Sequence, residues 1–253
     1  MSSFSEIAEA KMLALEANYT KTVGRELYKS QPTKYKDYIR TDCITFSINV
    51  LSHAFKELGN FDAAKQVVKH GVYGTELAKY LVEKHGWLAI YISSDVYHPY
   101  DGVHGHGLRY YKAKTKCVYE GISISYFAIN FKPTIKPEKS FWEWATMSGE
   151  DKPFYKGVYW DLRKHKDIET PKDLVGLGEI KKIRFGFGVS KGGKHTWLYS
   201  FGKVHEVHWD KVESELYEVT PLMKWGWVDN VIVVPAEEKS SLLHSALTTC
   251  SLP

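Results

Sequence analysis

The order of secondary-structure signals along this chain predicts an α+β fold, with helices first and strands later. Two observations support it. Apolar residues recur at helical spacing in residues 4–85, whereas short β-prone runs bounded by turn residues fill 183–234. A chain of 253 residues can also bury a substantial core. We therefore expect helices packed against an antiparallel sheet.

Four helices are expected, over residues 4–17, 44–58, 62–70 and 75–85. Ser3 and Glu6 match a capping box at the start of the first helix. Thr75 is the expected cap of the fourth, and the glycines Gly59, Gly71 and Gly86 follow the second, third and fourth helices. Residues 20–38 are polar and lysine-rich, and we expect a loop there.

Strands are expected at 87–93, 116–120, 122–129, 183–189, 195–200, 204–209, 216–220 and 228–234, the last five forming an antiparallel meander. Residues 94–180 contain many turn signals and are interpreted as an insertion or subdomain, with a short helix near 141–145. Residues 237–253 are interpreted as a tail. The prediction is thus one domain, 1–253, carrying an insertion.

Cys43 lies at the predicted start of the second helix, and Thr41 or Asp42 is the expected N-cap. The partial positive charge of a helix N-terminus favours a thiolate over a thiol. A cysteine on an apolar helix is also often a small buried hydrophobe. The position is that of an activated nucleophile if a histidine lies nearby.

Such a histidine, His195, begins the first strand of a predicted hairpin. A two- or four-residue loop would place His208 directly across from it and Glu206 on the same face, opposite Trp197. A one-residue slip would bring His205 and Val207 to that face instead. Cysteine, histidine and a polar orienting residue together indicate nucleophilic catalysis.

Asp42-Cys43 before an apolar helix, His195 at a strand start and a polar residue on the next strand resemble the NlpC-type papain-like cysteine hydrolases. Ile44-Thr45 stand where that family usually has Ser-Gly, and the family is usually shorter between cysteine and histidine. The resemblance implies a papain-like fold and cleavage of an amide bond in peptidoglycan stem peptides. It favours His208 as the orienting residue, with Glu206 as the alternative.

In that reading Cys43 attacks the carbonyl, and its backbone N–H, near Thr41 and Asp42, helps to hold the oxyanion. Tyr38, Trp197 and Trp209 are expected to line the substrate groove. No cofactor is expected. His98, His104 and His106 cluster in one segment near Asp95 and Asp101, but their spacing fits a polar loop better than a zinc site.

Composition and the absence of recognisable targeting segments limit the classes of partner that we expect. A net charge of +4 without a dense basic block does not indicate nucleic acid, and three cysteines do not make a disulfide scaffold. Neither a signal peptide nor a membrane span is recognisable, so we expect synthesis in the cytoplasm and no membrane association. With the resemblance, this suggests an effector exported by a dedicated secretion machinery and matched by an inhibitor (immunity) protein.

Two other functions remain open. The same chemistry could serve a protease, deamidase or transglutaminase-like toxin acting on proteins. Alternatively, an aromatic content of 14% could serve a non-catalytic binding module on a degenerate hydrolase fold. The reactivity of Cys43 towards a thiol reagent separates the enzymes from the binding module.

Overall fold

The computed structural model describes residues 2–93, 126–129, 174–175, 181–190, 193–222 and 230–238. Its helices are α1 Phe4–Ala17, α2 Arg25–Ser30, α3 Cys43–Glu57, α4 Phe61–His70 and α5 Gly74–His85. Its strands are β1 Thr22–Gly24, β2 Ile39–Thr41, β3 Leu88–Ser93, β4 Tyr126–Ile129, β5 Leu174–Val175, β6 Gly186–Ser190, β7 His195–Ser200, β8 Lys203–Val207, β9 Tyr217–Pro221 and β10 Asn230–Val234. The chain is therefore α+β, as predicted.

The predicted helix starts are confirmed at α1 and α3. Ser3 and Glu6 form both halves of the capping box of α1. Asp42, not Thr41, caps α3, because its Oδ1 accepts from the Thr45 N–H at 2.8 Å. The prediction of Thr75 as the cap of α5 was wrong, since Tyr73 occupies the N-cap position.

Within the described residues the main sheet has eight strands in the order β5-β4-β3-β10-β6-β7-β8-β9, and neighbouring strands in it are antiparallel. The predicted meander holds for β6 to β9. It was wrong for β10, which returns to pair with β6 and β3 instead of following β9. Its apolar run, all buried from Val231 to Val234, suits a central strand rather than an edge.

One face of the sheet packs on the helices and forms the core. Alternate strand residues such as Phe187, Val189, Leu198 and Val207 face α1, α3, α4 and α5 in one apolar cluster. The opposite face is also buried, because Trp197, Tyr199, Ile232 and Val234 are shielded from solvent. The catalytic candidates at the start of α3 therefore meet the sheet where β7 begins.

The predicted loop at 20–38 was wrong, because this stretch contains β1, α2 and a parallel pairing of β1 with β2. A three-residue strand and a six-residue helix are too short to show periodicity. Tertiary contacts stabilise them: the Gly24 N–H donates to the Lys211 carbonyl and the Glu26 N–H to the Trp209 carbonyl. A Cβ at Gly24 would lie 2.7 Å from the His208 carbonyl oxygen, so glycine is needed for this approach.

The remaining predictions lie mostly outside the described residues. Of the insertion at 94–180, only β4 and β5 are described, and both belong to the main sheet. The strand at 116–120 and the helix near 141–145 lie outside. Of the tail, Glu237 and Glu238 are described, and the Glu237 carboxylate accepts from the Ser5 N–H at 2.6 Å. The single-domain boundary stays a prediction.

Candidate active site

Cys43 is the first residue of α3 and is half-buried beside the start of β7. Burial by itself raises the pKa of its thiol, but hydrogen bonds from His195 and from Thr196, together with the charge of His195, outweigh burial and lower the pKa below its usual value. The thiolate is also favoured by the positive end of the α3 dipole. The environment is thus that of a nucleophile.

The imidazole of His195 lies between Cys43 and Glu206. Its Nε2 is 2.9 Å from Glu206 Oε2, which leaves Nδ1 as the ring nitrogen available to the Cys43 sulfur. Burial lowers the pKa of His195, but hydrogen bonds and charge from Cys43 and Glu206 raise it to about 9. A lowered thiol pKa beside a raised imidazole pKa stabilises a thiolate–imidazolium pair near neutral pH.

Glu206, rather than His208, contacts His195, and this reverses the preference expected from the resemblance. A two-residue turn, Phe201-Gly202 with φ of 45° and 82°, sets the predicted register, with Leu198 opposite His205. However, β8 ends at Val207, before His208. The His208 Nε2 lies 2.6 Å from Glu218 on β9, so its ring serves another partner.

The long Glu206 side chain reaches His195 diagonally across the two strands. Both partners are largely shielded from water, with exposed side-chain fractions of 16% for His195 and 11% for Glu206. A carboxylate in such surroundings holds an imidazolium more strongly than it would in solvent. The geometry thus supports Cys43, His195 and Glu206 as one hydrogen-bonded chain.

Two further side chains contact Cys43 and were missed from the sequence. The Thr196 N–H and hydroxyl both hydrogen-bond the Cys43 sulfur. The Ser47 hydroxyl donates to the Cys43 carbonyl at 3.0 Å and lies 3.4 Å from Thr196 Oγ1. Ser47 is four residues after Cys43, the spacing at which helical serine bonds back to a carbonyl, and this is the signal that could have identified it.

The residues expected near the oxyanion differ in role. The Cys43 N–H belongs to the first turn of α3, so it has no acceptor within the helix. The Asp42 carboxylate accepts from Thr45 and lies 3.3 Å from an Arg25 Nη1, so it caps the helix rather than stabilising an anion. Thr41 is buried and pairs with Gly24 on β1. Of these three, only the Cys43 N–H can hold an oxyanion.

The three residues expected to line the substrate groove differ in their exposure to solvent. The assignment of Trp197 to the groove was wrong, because its ring is fully buried against Gly188 and its Nε1 donates to Ser190 Oγ at 2.8 Å. Trp209 is 64% exposed, so it is accessible to a substrate. Tyr38 is half-buried, and its hydroxyl donates to Glu213 at 3.0 Å.

No group of three metal-ligating side chains lies together in the described part of the chain. His98, His104 and His106 lie outside the described residues. His205 and His208 are bonded to Glu16 and Glu218 respectively. His205 lies within β8 and is bonded to α1, whereas His208 follows the last residue of β8 and is bonded to β9, so the two histidines belong to separate pairs.

No protein-family model, curated protein or solved structure matches this chain. Among the described residues, no helix combines the length and the apolarity needed to cross a membrane. The case for a function therefore rests on the geometry of the site and on the motif resemblance.

Proposed function

We propose that this protein is a cysteine hydrolase of papain-like type that cleaves an amide bond. The observation that carries the proposal is the hydrogen-bonded chain from the Cys43 sulfur through His195 to Glu206. It combines an activated nucleophile, a proton carrier and an orienting carboxylate. A structural cysteine would need neither a lowered pKa nor a protonated partner.

In the proposed reaction the Cys43 thiolate attacks the carbonyl carbon, and the carbonyl electron pair moves to oxygen. The Cys43 N–H donates to this oxyanion. When the oxyanion collapses, the C–N bond breaks and His195 gives its proton to the leaving amine. Water, deprotonated by His195, then attacks the thioester carbonyl. Collapse of this second intermediate breaks the C–S bond, which releases the carboxylic acid product and restores the Cys43 thiolate beside the His195 imidazolium.

Glu206 keeps the ring oriented and stabilises the imidazolium through Nε2. Thr196 and Ser47 hold the sulfur and the first turn of α3 in position. Each of these groups comes from a helix or a strand rather than from a loop, which suits a preorganised site.

Peptidoglycan stem peptides are the proposed substrate, and the support for them is the NlpC-type resemblance of the motif around Cys43 and His195. The test incubates the protein, and a Cys43→Ala variant, separately with purified cell wall and with lysate proteins. We expect soluble muropeptides from the wall with the unaltered protein alone. Cleaved or deamidated lysate proteins without muropeptide release would instead assign a protein substrate.

The enzyme reading itself is tested by alkylation with iodoacetamide at pH 6 to 7. We expect Cys43 to react faster than Cys117 and Cys250 in the same chain, because an ordinary thiol, with a pKa of about 8.5, is mostly protonated there. Peptide mass mapping measures the three rates. Equal rates would overturn the proposal in favour of a binding module. Undiminished hydrolysis by Cys43→Ala would also overturn it, because Cys43 would then not be the nucleophile.

A further inference from the structure

The turn between α4 and α5, residues Gly71 to Gly74, packs tightly beside the candidate nucleophile. A Cβ at Gly74 would lie 2.5 Å from the Thr196 methyl group, and a Cβ at Gly71 would overlap the Ile48 side chain on α3. Thr196 itself hydrogen-bonds the Cys43 sulfur. The two glycines therefore let this turn approach the residues that hold the sulfur, closer than any other residue type would allow.

Between the two glycines the turn carries two large apolar side chains that face solvent. Val72 is 73% exposed and Tyr73 is 61% exposed. Neighbouring apolar side chains left in water beside a reactive group are typical of a binding surface, whereas scattered ones need no explanation. They directly precede Gly74, which packs against Thr196, and this position distinguishes them from exposed apolar residues such as Phe61.

Tyr73 also occupies a position where local stability favours a different residue. It is the N-cap of α5, and its side chain makes no capping hydrogen bond. Serine, threonine, aspartate or asparagine at an N-cap would satisfy a free N–H of the first turn. Residues that depart from such a local preference are expected at functional or strained sites.

We propose that Val72 and Tyr73 form a specificity subsite, which receives an apolar side chain next to the scissile amide of the substrate. This inference rests on the proposed hydrolase function, because the subsite is placed by the packing of Gly74 against Thr196, which hydrogen-bonds the Cys43 sulfur. Because one aliphatic and one aromatic side chain form this surface, it suits an apolar ligand better than an ionic one. The expected substrates are therefore amides in which the residue next to the scissile bond is apolar.

The test compares two electrophiles that react with Cys43, iodoacetamide and N-benzyl iodoacetamide, in the full chain. The ratio of the two alkylation rate constants isolates recognition of the benzyl group from thiolate reactivity. We expect a ratio above that for free cysteine, and a roughly three- to tenfold fall of the ratio in Tyr73→Ser. Serine suits the N-cap, so α5 should be retained.

Phe61→Ser is the matched control. Phe61 is also 61% exposed, but it begins α4, at the opposite end of that helix from the turn. Its substitution should leave the ratio unchanged. Val72→Ser is a second variant of the subsite and should lower the ratio by a smaller factor, because it removes less apolar surface.

The outcomes separate the two proposals. Normal iodoacetamide reactivity with the same ratio in the parent, Tyr73→Ser and Val72→Ser overturns the subsite and leaves the hydrolase intact. An equal fall in Phe61→Ser overturns the subsite as well, since the effect would not depend on position. Failure of iodoacetamide itself to react preferentially at Cys43 overturns both.

Discussion

Two histidines on the same hairpin are each bonded to a glutamate, yet of the two only His195 is hydrogen-bonded to the Cys43 sulfur. His195, on β7, bonds Glu206 through Nε2 and also hydrogen-bonds the Cys43 sulfur. His205, on β8, bonds Glu16 of α1 through Nδ1 at 2.7 Å. Its Nε2 is buried and has no hydrogen-bond partner among the described residues.

The difference shows that a histidine–carboxylate pair does not by itself make a catalytic base. In both pairs the carboxylate orients the ring, but the second ring nitrogen decides what the ring can do. That of His195 can exchange a proton with a sulfur, whereas that of His205 is buried and has no partner among the described residues. Glu206 and His205 are adjacent in sequence and point to opposite faces of β8, which is why their partners differ.

The largest effect expected from this comparison is that of His195→Ala. Losing the base should lower amide hydrolysis at least about 10³-fold, since nucleophile and base act as a unit. Muropeptide release from purified cell wall measures the rate. Circular dichroism checks that the variant is folded, because loss of the fold would indicate a structural histidine.

His205→Leu is the matched control for His195→Ala. It should leave the rate of the folded protein within a few-fold of the parent. It should lower the free energy of unfolding by about 1–3 kcal/mol, because Glu16 loses its partner. Urea unfolding measures that change. A folded but inactive His205→Leu protein would contradict this distinction between the two histidine–glutamate pairs, since both pairs would then be needed for catalysis.

Glu206→Gln is expected to have an intermediate effect, with a rate loss of about 10²-fold. The parent should also lose activity as the pH rises through about 9, because the protonated His195 required for the leaving amine is then depleted. Glu206 is among the groups that raise this pKa. In Glu206→Gln the alkaline limb of kcat/KM should therefore move to lower pH. If the alkaline limb of Glu206→Gln stayed where it is in the parent, Glu206 would not be the group that stabilises the His195 imidazolium.

His208→Ala should have the smallest effect, less than about threefold on the rate. The His208–Glu218 pair is substantially exposed, with 36% and 51% of the two side-chain surfaces accessible to solvent. Exposed ion pairs contribute little free energy, so losing this one should change little. The same pH–rate measurement serves as the readout, and the alkaline limb should stay in place. A rate loss exceeding that of Glu206→Gln would return His208 to the role that the resemblance favours.

Much of the site could be predicted because its signals are local. Asp42-Cys43 before an apolar stripe predicts a capped helix with the thiol in its first turn. The alternation in β7 and β8, with a short turn at Phe201-Gly202, predicts the pairing that the structure has. Local propensity and periodicity determine both features, and neither depends on distant contacts.

The choice between Glu206 and His208 could not be predicted in the same way. Both follow His195 at distances that cross-strand geometry permits, and only the end of β8 at Val207 and the presence of Glu218 on β9 separate them. Trp197 was misplaced for a related reason. Alternation put it on the face of His195, but burial of that face by the folded chain removed it from solvent.

The sequence by itself therefore determined the class of fold, the helix that carries Cys43 and the hairpin that carries His195, because periodicity, capping and turn chemistry act over a few residues. Only the tertiary structure decided which side chains meet. It brought Thr196 and Glu206 to the candidate site, paired β10 with β6 and set the Gly71–Gly74 turn against Thr196 and Ile48. Those choices depend on packing between segments far apart in the chain, where side-chain reach and burial, rather than local preference, decide the contacts.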